Sequence, residues 1–339
     1  MRKNSQPHVA MSTKKYRLIS CRNGINLICF LGCASVFAIL EFGNITPRKN
    51  GFFCNDQSIR YPFIEETVSD VMLIGLTVVL GICFIFIFEL VIAVNKQIVT
   101  RSDKRSDNSS PGHSLHIKEG ASPSFYNFDR LSGIIALCGR KAAVTTILFL
   151  WYNICNGIIT DLVKVTAGSL RPHFFAFCNP NISCTLKEEK LYQTSYSCQD
   201  SSPSEQNSAR KSFPSGHAST ATTSMVFLIV YFQRRCKHMD KLVPNFLKLT
   251  ISLCLFSLAM WISMTRVSDY HHHLIDVLSG ILLGGSIGFI GGVHSITVDC
   301  TNEDEKMNLR TDNFEAHNGR NKSNHHCFKN EAFHNEEGR

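Results

Sequence analysis

The stretch Thr265–Leu278, TRVSDYHHHLIDVL, sets Arg266, Asp269, three consecutive histidines and Asp276 between two long apolar runs. Ionisable groups at the edge of a hydrocarbon layer are expensive to place and are functional candidates by default. The flanking runs therefore decide the fold. Working outward, apolar residues collect in six blocks, at about 25–40, 68–94, 142–163, 216–232, 246–264 and 274–296. A helix of roughly 17–25 residues crosses a ~30 Å hydrocarbon core while satisfying its own backbone. The expected fold class is all-α, a polytopic membrane protein with six transmembrane helices. Basic residues precede the short block 25–40, as in a signal peptide. No small-residue cleavage site follows it, so an uncleaved first span is expected. Asp161 falls inside the third block and blurs its inner boundary.

The formal net charge of +8 does not point to nucleic acid, because the basic residues follow the membrane topology. With a cytosolic N-terminus, the segments on the cytosolic side hold 25 Lys and Arg against 10 on the other. That bias follows the positive-inside tendency. It leaves residues 41–67, 164–215 and 265–273 outside the cytosol or in a lumen, and both termini cytosolic. Residues 1–24 read as a cytosolic tail, 25–296 as the six-span domain, and 297–339 as a polar, disordered cytosolic tail. The loop 101–124 has the same disordered composition. The outer sequons at Asn44 and Asn181 are expected to carry glycan, and those at Asn108 and Asn321 to stay bare. Cys54, Cys178, Cys184 and Cys198 lie in the outer loops, where disulfides form, with the pairing open. The other cysteines mostly sit in apolar spans as small hydrophobes.

Polar clusters gather at the outer ends of the spans. In KVTAGSLRP, Lys164 and Arg171 stand seven residues apart, two turns if helical, before Pro172. Snorkelling to lipid headgroups would explain such cations singly. In FPSGHAST, Ser215 and Gly216 open an apolar helix whose free N–H groups favour an anion, with His217 one residue on. Ser215 also reads as a simple N-cap. In the opening stretch, Asp276 shares a helix face with His272 or His273, while His271 points elsewhere and Arg266 lies outside the helix. His217, His272, His273 and Asp276 could form a metal set. Lys164, Arg171 and Arg266 would repel that cation, and suit a phosphate dianion instead.

Lys164…Arg171-Pro172, then Pro214-Ser215-Gly216-His217, then Thr265-Arg266…His272…Asp276 resemble K-x6-R-P, P-S-G-H and S-R-x5-H-x3-D. These are the signature blocks of the type 2 phosphatidic acid phosphatases. Only Thr265 departs, keeping a hydroxyl where the family has Ser. GFFCNDQSIRYPF (Gly51–Phe63), LRPHF (Leu170–Phe174) and RVSDYHHH (Arg266–His273) resemble the animal lipid phosphate phosphatases. The resemblance covers about residues 25–296. It implies that His272, five residues beyond Arg266, is the nucleophile and passes through a phosphohistidine. It implies that Asp276 orients His272 and that His217 is the general acid and base. Lys164, Arg171, Ser215, Gly216 and Arg266 would bind the phosphoryl group, with no metal and no cofactor. It implies substrates held in the bilayer: phosphatidic acid, lysophosphatidic acid, sphingosine 1-phosphate or ceramide 1-phosphate. The setting expected is the plasma membrane, with the site facing outward and a role in phospholipid metabolism and lipid signalling. A homo-oligomer is compatible with the sequence.

Overall fold

The computed structural model describes residues 7–43, 45–107, 123–182, 190–199, 201–238 and 243–315. Nine α-helices lie among them: α1 (Pro7–Phe42), α2 (Asp70–Ile74), α3 (Leu80–Asp107), α4 (Pro123–Ala167), α5 (Phe174–Cys178), α6 (Pro203–Ser208), α7 (Gly216–Arg235), α8 (Asn245–Ser268) and α9 (Leu274–Glu315). A π-helical turn, Gly75–Val79, joins α2 to α3. Five segments are long and apolar enough to cross a membrane: Gly24–Phe42, Asp70–Asn95, Cys138–Ala167, Asn245–Ser268 and Leu274–Val298. These correspond to five of the six blocks read from the sequence.

The sixth block, α7, is not among the five, and its packing explains why. Its first half is small and polar, with His217, Ser219, Thr222, Thr223 and Ser224 all buried. It packs against α4, α8 and α9, so it presents little surface to lipid and needs little hydropathy. The α7–α9 contact is the most extensive among the described helices. Gly280, Gly284 and Gly288 face the backbone of Ser215, Ser219 and Thr223, and a Cβ on Gly284 would lie 2.2 Å from the Ser219 carbonyl oxygen. Small residues every fourth position allow two backbones to approach this way. Below, Phe149, Met225, Phe227, Leu228 and Phe232 fill the core between α3, α4 and α7. Near the other end of α7, Glu89 of α3 pairs with Arg235 at 2.9 Å.

Several helices run past the boundaries expected from composition. α1 begins at Pro7, inside the segment read as a tail, and α9 continues to Glu315. Once a span has nucleated, each further turn adds a bond for every residue fixed, so polar residues propagate the helix. The loop 101–124 is likewise helical at both edges, and residues 108–122 lie outside the described residues.

Over the site end sits a small aromatic cap. The two-residue strands β1 (Phe52–Phe53) and β2 (Tyr192–Gln193) pair antiparallel. Phe52, Phe174 and Tyr196 pack beneath them in edge-to-face contacts. A disulfide joins Cys178 to Cys198, and Cys54 is also disulfide-bonded. Cys184 and Asn44 lie outside the described residues, while Asn181 is exposed.

The glycine seam yields a direct test. Gly284→Val should lower the thermal midpoint of detergent-solubilised protein by several degrees, because a backbone oxygen cannot move aside. Gly285→Ala, whose Cβ would meet only Thr222 Cγ2 at 3.6 Å, should change it by little. Scanning fluorimetry of the two variants checks this.

Candidate active site

The three motifs close on one another. Lys164 sits near the end of α4 and donates to Asp161 Oδ1 at 3.2 Å. A Cβ on Gly216 would stand 2.8 Å from the Lys164 ammonium, so glycine here leaves that ammonium its place. The helix does not carry on to Arg171. It stops at Ala167, and Gly168 takes a left-handed φ of 58° against the Arg48 carbonyl. Lys164 and Arg171 are therefore joined by a turn, not by two helical turns as their spacing suggests. The Arg171 backbone N–H is held by the Ala209 carbonyl at 2.9 Å.

Arg266 lies outside α9, as expected, but not in a loop. It lies in the last turn of α8 and is fully buried. Its Nη1 donates to the Val68 carbonyl at 3.1 Å and its Nη2 to Glu66 Oε1 at 2.9 Å. The Val68 carbonyl also accepts from His217 Nε2 at 3.0 Å, which ties the second and third motifs together. Ser215 caps α7 by accepting from the Ala218 N–H, and its own N–H donates to the Asp276 carbonyl at 3.0 Å.

The three histidines of the opening stretch have separate surroundings. His272 is buried and donates from Nδ1 to the Ser212 carbonyl at 2.7 Å, which leaves Nε2 as the basic nitrogen. Asp276 was expected to hold this ring directly, but its Oδ2 stands 3.9 Å from Nδ1, too long for a hydrogen bond. That carboxylate instead accepts from Ser212 Oγ at 2.6 Å and from the His273 N–H at 3.0 Å. Asp276 thus fixes the two backbone segments that flank His272. His273 Nδ1 also reaches Asp276, at 3.3 Å, and this bond raises its proton affinity. His271 points into the cluster, contrary to expectation. Its Nε2 donates to the Ile64 carbonyl at 2.9 Å, and its Nδ1 accepts from Arg171 Nη1 at 3.3 Å.

The first outer loop contributes groups that sequence reasoning missed. Glu66 and the carbonyls of Ser58, Ile64 and Val68 all bond site residues. Asp269 anchors the loop by accepting from the N–H and hydroxyl of Thr67, at 2.8 and 2.9 Å. His173, beside Pro172, donates from Nδ1 to the Tyr270 carbonyl at 2.9 Å and packs edge-on against His271. A histidine inside LRPHF was visible in the sequence, but nothing there said what it touched.

Electrostatics follow from crowding cations in a dry place. Burial and the nearby Arg266 lower the Arg171 guanidinium to about 10. Burial pushes His272 well below the usual imidazole range, with Arg171, Lys164 and Arg266 adding to the shift. His173 falls to about 3, from burial first and Arg171 second. Among the buried polar atoms without a partner in the described residues are two guanidinium donors of the site, Nε of Arg171 and Nε of Arg266. An unmade bond on a buried guanidinium costs about 1–3 kcal/mol or more. It points to an anion as the missing partner. Glu66, Asp70 and His217 bring three ligand-type atoms within 4.8 Å, a grouping a cation could use. Two of the three are engaged, Glu66 by Arg266 and His217 Nε2 by a carbonyl.

Residues 145–295 match the PAP2 superfamily. The chain is 31% identical to human phospholipid phosphatase 2 over 271 residues, covering 78% of each protein. It is 30% identical to mouse phospholipid phosphatase 1 over 266 residues, covering 78% of this chain and 81% of the relative. The chain belongs to the PAP2 superfamily. No solved structure matches it.

A pH effect on stability follows from His173. Its folded-state pKa lies below the unfolded value, so the unfolded chain binds more protons below about 6.5. The stability present above pH 6.5 is lost as pH falls toward 3. His271 and His272 shift in the same direction and add to the loss. His173→Phe keeps a ring among Phe63, Phe177 and His271 but cannot charge. The fall in thermal midpoint between pH 6.5 and 5 should be shallower in this variant than in the parent protein, read by scanning fluorimetry.

Proposed function

We propose that this chain is an integral membrane phosphatase that hydrolyses the phosphomonoester of bilayer lipids. The supporting observation is the pair of buried, unpartnered Nε–H groups on Arg171 and Arg266, beside a buried imidazole with a free Nε2. The relatives named phospholipid phosphatases support the substrate class. Phosphatidic acid, lysophosphatidic acid, sphingosine 1-phosphate and ceramide 1-phosphate are the proposed substrates, linking the enzyme to phospholipid metabolism and lipid signalling.

In this reading His272 Nε2 attacks phosphorus and the alkoxide leaves, giving a phosphohistidine that water then cleaves. His217 protonates the leaving oxygen and later takes a proton from the attacking water. Lys164, Arg171 and Arg266 bind the phosphoryl oxygens and stabilise charge during transfer, with Ser215 and the Gly216 N–H adding hydrogen bonds. Asp276 acts through Ser212 and His273 to keep His272 in place. No metal is required, since three cations surround the phosphoryl group.

α7 is proposed as the sixth span. Its 20 residues give about 30 Å of helix, enough to cross the hydrocarbon core. Six spans leave both termini on one side, and the bias of basic residues supports reading that side as the cytosol and the site as facing outward, with the plasma membrane as the proposed location. Asn181 and Asn44 then carry glycan.

Phosphate release from short-chain phosphatidic acid in detergent, with chelator present, tests the activity. Steady release is expected. Release only after divalent metal is added would favour the Glu66–Asp70–His217 grouping as a metal centre instead. Arg171→Lys and Arg266→Lys keep the charge but lose the planar fork. Each should lower kcat/KM by about 100-fold or more, equivalent to roughly 2.7 kcal/mol. Near-normal values in both would remove the cradle from the mechanism.

A further inference from the structure

Glu66 stands where an incoming phosphate would have to bind. A guanidinium grips two oxygens of an oxyanion through paired N–H groups, and Nε–H with its neighbouring Nη2–H forms one such fork. On Arg266 the Nε half of that fork is empty and buried, while the Nη2 half is taken by Glu66 Oε1 at 2.9 Å. The same carboxylate oxygen lies 3.4 Å from His271 Nδ1, the atom that meets Arg171 Nη1. Because that nitrogen accepts from Arg171, the carboxylate stands close to it without bonding it, and Arg266 is the partner that holds Glu66. Glu66 is not locked in. Its side chain is 30% exposed against 1% for its partner Arg266. Asp70, 85% exposed, stands 3.7 Å from His217 Nε2 and adds a second negative charge at the same mouth.

We propose that Glu66 is a resident counter-ion that selects phosphomonoester dianions over phosphodiester monoanions. The inference rests on the phosphatase reading above. A ligand must displace the carboxylate from the Arg266 fork. A monoanion exchanges one negative charge for another and gains little. A dianion brings a second charge and a third terminal oxygen, which Arg171 Nε–H and Lys164 can engage. The discrimination matters because an enzyme whose site opens at a bilayer surface is surrounded by phosphodiester headgroups. Without a filter, three cations in a dry pocket would hold those headgroups as competitive ligands.

The test compares two soluble probes, inorganic phosphate at a pH where the dianion dominates and dimethyl phosphate, a monoanionic diester. Affinity is read from the thermal stabilisation of purified full-length protein, so no turnover is needed. The parent protein should prefer phosphate strongly. In Glu66→Gln the preference should fall at least 10-fold, chiefly because dimethyl phosphate now binds. Glu66→Asp, which keeps the charge, should retain most of the preference and reports on folding. An unchanged preference in a folded Glu66→Gln protein overturns the proposal, as does an equal weakening of both probes, which would make Glu66 only a support for Arg266. A parent protein that phosphate fails to stabilise would instead overturn the phosphatase reading.

Discussion

Two guanidinium groups of like charge, Arg171 and Arg266, are brought together out of water, and the surrounding structure is arranged to tolerate them. Burial first, and the neighbouring cations after it, lower the proton affinities of Arg171 and His272. Removing one partner from a buried charge is strongly destabilising. The site accordingly supplies several partial partners: Glu66 and the Val68 carbonyl for Arg266, and His271 Nδ1 for Arg171. None of these completes the set, and the two Nε–H groups stay unmade. In the proposed function, the phosphoryl group of the substrate supplies the missing partner for both.

That constraint also explains the bundle around it. The cations come from the ends of α4 and α8 and from the loop after α4, so these elements must converge on α7. Convergence needs thin helices. Glycines on α9 let it press onto α7, and the Ser215 N–H then reaches the Asp276 carbonyl at the start of α9. The aromatic cap and the Cys178–Cys198 disulfide hold the loops that carry Arg171 and Ser212. Packing deep in the membrane and geometry at the surface are therefore one problem.

Much of this was legible in the sequence, for identifiable reasons. Long apolar runs announce spans, and five of them match helices of adequate length and hydropathy. Block 216–232 was read as a span like the others, and α7 falls short of them in hydropathy because a helix enclosed by protein needs no lipid-compatible surface. Charged and imidazole side chains carry their chemistry in their letters, so Lys164, Arg171, His217, Arg266, His272 and Asp276 were all named. What could not be read were backbone partners. The Ser212 carbonyl, which holds His272, and the Val68 carbonyl, shared by His217 and Arg266, have no residue-type signature. Their positions depend on the first outer loop folding over the site. Glu66 was hidden for a related reason, being one acidic residue among several in an outer loop.

The central claim is that His272 Nε2 takes the phosphoryl group held by Arg171 and Arg266. Its most direct test is capture of the intermediate. Protein mixed with phosphate-labelled substrate would be quenched in alkali, since phosphohistidine is labile in acid, and then mapped by peptide. Label that is stable in alkali, lost in acid and confined to the peptide carrying His272 is the expected result. Label on any other residue, or label that persists when His272 is replaced by alanine, contradicts it.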